Sequence, residues 1–107
     1  MDSNQELEFL KSASEDKVCH YLASRVRRIR REAKESQEAF AGRAGIPLRT
    51  YKRFEAHGRA HLDTFVRVLR VLNLTHYLLL LFPQAELPRK PTLVEKLQEI
   101  SERRGSP

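Results

Sequence analysis

Residues 36–55 read SQEAFAGRAGIPLRTYKRFE, and the way this stretch divides decides the fold. Ser36 is a good N-cap, with Gln37 and Glu38 behind it in the first turn. Phe40, Ala41 and Ala44 share one apolar face at helical spacing. Gly45 follows at once, and glycine most cheaply takes the left-handed conformation that ends a helix. Ile46 is expected to point inward, and Pro47 suits a turn or a helix start. The spacing predicts a second helix over 48–56. Its buried side is Tyr51, Phe54 and Leu48; its outer side is Arg49, Thr50, Lys52 and Arg53. Small residues at the crossing (Ala41, Ala44, Gly45) let the two helices approach closely. A helix, a glycine turn and a second helix with a basic outer face describe a helix-turn-helix, whose second helix enters the DNA major groove.

Upstream, a long helix is predicted over 15–34. Ser12 and Ser14 are candidate caps, and Ser12 with Glu15 fits a capping box. Val18, Leu22, Val26, Ile29 and Ala33 give a continuous inner stripe, with Arg25, Arg27, Arg28, Arg31 and Lys34 outside it. Residues 1–13 are polar and acidic and read as a short helix or a frayed terminus.

Downstream, 56–61 is a loop holding Gly58. Leu62, Phe65, Val66, Val68, Leu69, Val71 and Leu72 define a fourth helix that Asn73 can end. Thr75 can cap a fifth over 76–82. Its sequence, HYLLLLF, is apolar all round and must be buried on more than one side. Tyr77, Leu78, Leu80, Leu81 and Phe82 are the candidate dimer interface; a wholly intramolecular core helix is the alternative. Pro83, Pro88 and Pro91 mark a linker over 83–91. Thr92 and Glu95 then make a capping box ahead of a helix over 93–103, with Leu93, Val94, Leu97 and Ile100 as its stripe. About three turns are marginal alone, so this helix is expected to dock on its own domain, a dimer mate or another protein. The organisation is thus an N-terminal arm (1–13), a helix-turn-helix domain (14–83), and a Pro-hinged linker with an amphipathic helix (84–107).

The chain has 107 residues, 40% hydrophobic and 32% charged, enough for one small domain with arms. A net charge of +6 makes an anionic partner plausible. Cys19 is the only cysteine, which excludes an internal disulfide and suits a reducing compartment. No apolar run reaches the ~18 residues of a membrane span, and the acidic residues 1–20 do not read as a secretory signal. A cytoplasmic protein is expected. No ligand set with zinc spacing, phosphate-binding glycine loop, nucleophile elbow or acidic pair in a cleft is visible, so neither metal nor cofactor nor enzymatic activity is expected.

In order, Leu22, Arg25, Val26, Arg30, Ser36-Gln37-Glu38, Phe40-Ala41, Ala44-Gly45-Ile46, Thr50-Tyr51 and Arg53-Phe54-Glu55 resemble the lambda-repressor/Cro (Xre-type) helix-turn-helix family. Residues 60–82 continue the likeness as the last two helices of that bundle. The resemblance implies an all-α, lambda-repressor-like five-helix DNA-binding domain, here with helical arms at both ends, in a bacterium or its phage. It implies a homodimeric, autoregulatory repressor on an inverted repeat. It places Leu48, Arg49, Lys52 and Arg53 in the family's base-reading slots, and Arg30 and Glu55 as a structural pair bridging two helices. Arginine suits guanine, whose O6 and N7 accept its fork, so guanine-containing half-sites are expected. Gln37, Arg25, Arg43, Thr50 and Arg59 are the expected phosphate contacts. Two departures stand out: Lys34 and Glu35 replace the usual glycine and apolar residue after the first helix, and Pro47 replaces a capping side chain. The apolar 76–82 segment and the capped C-terminal helix also resemble DNA-binding antitoxins of the HipB type, which implies a protein toxin as an alternative partner.

Overall fold

A computed structural model describes residues 1–82 and 93–105 of the chain. The described residues are all-α, with no strand among them, and fall into two units that divide after Thr75.

In the first unit, α1 (Ser3–Ser12) opens on a reciprocal capping box between Asp2 and Gln5. The Phe9 ring lies 5.8 Å from that of Tyr21, and the Tyr21 hydroxyl donates to Glu6. The N-terminal arm is therefore a helix tied to α2 (Glu15–Glu32). Ser14, not Ser12, caps α2: its Oγ accepts from the Lys17 N–H at 3.3 Å, while the Ser12 hydroxyl already donates to the Glu8 carbonyl within α1.

Helix α2 stops at Glu32, two residues short of the expected end. Lys34 turns left-handed at φ 55°, its N–H donating to Arg31 and the Glu35 N–H to Arg30. This is a Schellman closure built on a lysine where glycine is the ordinary choice. The same closure ends α3 (Gln37–Ala44) at Gly45 and α5 (Leu62–Val71) at Asn73. At the close of α3, Arg67 of α5 donates to the Gly45 carbonyl at 3.1 Å. Helix α4 (Leu48–His57) ends at Gly58, whose φ is 69°. A Cβ there would lie 2.6 Å from the Cys19 carbonyl carbon, so glycine is required by conformation and by contact.

The core comprises Ala23 and Val26 of α2, Phe40, Ala41 and Ala44 of α3, Ile46 in the turn, Tyr51 and Phe54 of α4, and Val68 of α5. Phe40, Tyr51, Phe54 and Phe65 form a chain of tilted ring contacts 4.8–6.2 Å apart. The expected inner stripe of α2 is rotated. Ala23, Val26 and Arg30 face the core, while Leu22 and Ile29 are 36% and 40% exposed. In this orientation Arg30 meets a partner inside, Glu55.

The second unit departs further. A 3-10 helix over Thr75–Leu81 stands where the apolar pattern predicts an α-helix over 76–82. Within it Leu78 is half-buried, and Tyr77, Leu79, Leu80, Leu81 and the following Phe82 are each more than half exposed. Helix α6 (Leu93–Gly105) starts where predicted and runs two residues further; Val94, Leu97 and Ile100 are exposed. The predicted linker over 83–91 and the Thr92 cap lie outside the described residues. Among the described residues no single helix is long and apolar enough to cross a membrane.

Candidate nucleic-acid interface

Helices α3 and α4 and the turn between them stand where the sequence predicts a helix-turn-helix. Ser36 Oγ accepts from the Ala39 N–H at 3.0 Å and starts α3. Pro47 leads into α4 with no side-chain cap, so the first amide groups of that helix are left to solvent or a ligand. Tyr51 and Phe54 hold α4 on the core. The opposite face presents Arg49, Lys52 and Arg53, all exposed, with Thr50 half-buried beside them. None of these three cations is paired with a carboxylate among the described residues. Leu48 is half-buried and packs partly against the core, so only part of its side chain remains for a base.

The inward charges are fully engaged. Arg30 grips Glu55 with Nε at 2.7 Å and Nη2 at 3.0 Å, and its Nη1 donates to the Glu35 carbonyl at 2.8 Å. Gln37 donates its side-chain amide to the same Glu55 carboxylate at 3.1 Å. Burial pushes the Glu55 carboxyl up, but Arg30 first, then the nearby Tyr51 hydroxyl and the Gln37 amide, outweigh this and leave it below the usual carboxylate range. Beside them the Tyr51 hydroxyl is buried without a hydrogen-bond partner among the described residues. Burial, then the nearby Glu55 carboxylate, pushes its ionisation well above that of free tyrosine.

The expected phosphate contacts separate. Gln37 is at the start of α3 as anticipated, but its amide is held by Glu55. Arg43 is closed in a two-bond fork on Glu35, at 2.6 and 2.7 Å, and is not a free cation. Hydrogen bonds from Arg43 hold the Glu35 carboxyl below its usual range. Arg59 joins Arg49, Thr50, Arg53, Ala60 and His61 around one open groove, with Asp16 3.6 Å from its guanidinium. Arg25 is exposed on α2 and takes no part in that groove.

The chain matches no family model, no curated protein and no solved structure. What the surface does is therefore read from its own chemistry. A second open groove, on the other side of α4, is lined by Arg27, Arg31, Gln37 and Lys52, with the Arg30–Glu55 pair at its floor. The apolar pattern does not single out Arg27 and Arg31, because a wheel centred on the apolar residues of α2 aims them away from α4. Centring it on Arg30 brings both to the shoulder beside α4. Among the described residues no group of three or more His, Cys, Asp or Glu side chains is arranged to hold a metal ion.

Proposed function

We propose that this protein is a sequence-specific double-stranded-DNA-binding regulator, with α4 as the recognition helix. One observation carries the reading: the buried Arg30 and the exposed Arg28, Arg43 and Arg59 each have a carboxylate partner, while Arg49, Lys52 and Arg53 on the outward face of α4 stand exposed and unpaired among the described residues. Three cations on one rigid helix face need leave no internal partner to meet phosphates and guanine edges. In this reading residues 14–83 form a lambda-repressor-like domain, and the segment expected as its last helix departs from the pattern by being 3-10. The protein acts as a homodimer on an inverted repeat, with Tyr77, Leu78, Leu80, Leu81 and Phe82 in the seam and half-site centres about 34 Å apart. Repression of its own gene, in a bacterial or phage setting, follows from the family resemblance alone.

The alternative is an antitoxin that also holds a protein toxin. Because α1 is capped and tied to α2 through Tyr21, that reading rests on the C-terminal helix, where Val94, Leu97 and Ile100 are exposed.

The test is a binding titration against the duplex upstream of the protein's own reading frame, with Arg49→Ala/Arg53→Ala alongside. Tight binding to one inverted repeat, lost in the double variant, supports the proposal. Equal, weak binding to every duplex by both proteins overturns it.

A further inference from the structure

Helix α2 carries five arginines over Arg25–Arg31, of which Arg28 pairs with Glu32 and Arg30 with Glu55. A recognition surface confined to α3 and α4 gives Arg27 and Arg31 no task. They are four residues apart, hence on one face of α2, and both are exposed and unpaired among the described residues. With Lys52 they line one groove beside α4. Arg59 and His61 line the other, with Arg49, Arg53 and Thr50. At about 100° per residue, Lys52 and Thr50 stand about 160° apart around α4. The two grooves therefore lie on opposite sides of α4, one bordered by Arg27 and Arg31 on the Lys52 side and the other by Arg59 on the Thr50 side, with the outward Arg49 and Arg53 forming the near wall of the second. Among the described residues the only carboxylate lining the Arg27 groove is Glu55, already gripped by Arg30.

A helix lying in the major groove has one phosphodiester strand on each side, about 12 Å apart across the groove. We propose that the two grooves beside α4 seat these two strands separately: Arg27 and Arg31 contact phosphates of one, and Arg59 contacts a phosphate of the other. The inference rests on the DNA-binding reading and deepens it. It moves the phosphate contacts from Arg25 and Arg43 to Arg27 and Arg31, so α2 becomes part of the DNA surface. These residues set affinity and register, while sequence choice stays with the centre of α4.

The experiment uses the full chain and duplexes selected by it from a randomised 30-bp pool, with a fixed scrambled duplex as the non-specific probe. Association constants are measured across a salt series for the wild type, Arg27→Gln/Arg31→Gln, Arg27→Lys/Arg31→Lys, Arg59→Gln and Arg49→Ala/Arg53→Ala. Ethylation interference is then mapped on each strand. Removing one arginine–phosphate ion pair lowers the slope of log K against log salt by about 0.9. The Gln double variant is expected to drop by about 1.8 in slope, together with the interfering phosphates of one strand only. The Lys double variant keeps both. Arg59→Gln drops by about 0.9 and sheds its interference on the opposite strand. In these variants the ratio of selected to scrambled affinity stays within a few-fold of wild type, whereas Arg49→Ala/Arg53→Ala collapses it. If the wild type selects a site and the Gln double variant keeps slope and interference pattern, the two-strand assignment fails and the DNA-binding reading survives. If the wild type selects no site and binds both probes alike, both fall.

Discussion

The Arg30 guanidinium and the Glu55 carboxylate, each on a residue only 8% exposed, meet in a two-bond fork that joins α2 to α4. The fork sets the angle at which α4 is presented, because Glu55 is one turn beyond Tyr51 on the buried side of the helix. Such a pair fixes geometry more reliably than it adds stability. Removing either partner leaves the other charge buried and unpaired. Arg30→Ala and Glu55→Ala are each expected to cost about 3 kcal/mol or more. A volume-matched apolar double variant, Arg30→Met/Glu55→Leu, is expected to cost less than either alone. Urea denaturation of all three decides it, and additive losses would contradict the coupling.

The same pair predicts an acid-side loss of stability. The folded-state Glu55 carboxyl lies below the ordinary value of about 4.5, so its contribution is present above that pH and is lost as pH falls through the folded value. Urea midpoints from pH 7 to pH 3 should therefore fall below about pH 4.5. Glu55→Gln should start lower and fall less steeply. Parallel curves for the two proteins would remove Glu55 as the source.

Tyr51 packs its ring on Phe40 at 4.8 Å, yet its buried hydroxyl has no partner among the described residues. An unsatisfied buried polar group costs stability, so Tyr51→Phe is expected to be neutral or stabilising, by up to about 1 kcal/mol. Phe40→Ala, which empties the same packing site, should cost about 3–5 kcal/mol. Thermal melts of the two variants check the contrast; a marked loss in Tyr51→Phe would show that the hydroxyl is bonded after all.

Three backbone sites should respond in a fixed order. Gly42 sits inside α3 with open space where a Cβ would go, so Gly42→Ala should stabilise by about 0.5–1 kcal/mol. Lys34→Gly should also stabilise, relieving a left-handed lysine by about 1 kcal/mol. Gly58→Ala should be the costly change, since its Cβ would strike the Cys19 backbone rather than a movable side chain. The rank order of melting temperatures is the readout, and a stable Gly58→Ala would contradict the close approach.

Arg43 on α3 and Arg49 on α4 are both surface arginines, but only Arg43 is forked on a carboxylate. In a DNA-binding titration Arg43→Ala is expected to change affinity by no more than a few-fold. Arg49→Ala should cost about 1–3 kcal/mol, a factor of roughly 5 to 140, if its fork reaches a guanine. Equal losses would mean that Arg43 leaves Glu35 when DNA arrives.

The sequence announces the α3–turn–α4 unit through local chemistry. Ser36, Gly45 and Pro47 punctuate it, and Tyr51 and Phe54 mark its inner face, because caps, left-handed turns and apolar spacing act over a few residues. The turn of α2 about its own axis is not local. Ala23 is too small, and Arg30 too polar, to register in an apolar pattern, so the stripe through Leu22 and Ile29 draws attention to the wrong side. The Glu35–Arg43 fork spans eight residues across a turn and closes only once α3 is in place. Arg27 and Arg31 are hidden for a different reason: in a helix with five arginines, only the neighbouring helix tells one side from another. The HYLLLLF segment conveys hydrophobicity but not whether it winds as an α- or a 3-10 helix.

The hydrogen bond from Arg67 to the Gly45 carbonyl bears on how this motif could be transplanted. The turn that aims α4 is held by a side chain 22 residues downstream, and Val68, the next residue, plugs the core beneath it. A graft of residues 36–57 onto another scaffold would carry every outward side chain of α4 and leave behind the latch on its hinge. Redesigning the outward surface of α4 therefore calls for exchanging its side chains in place, with α5 as an inseparable part of the cassette.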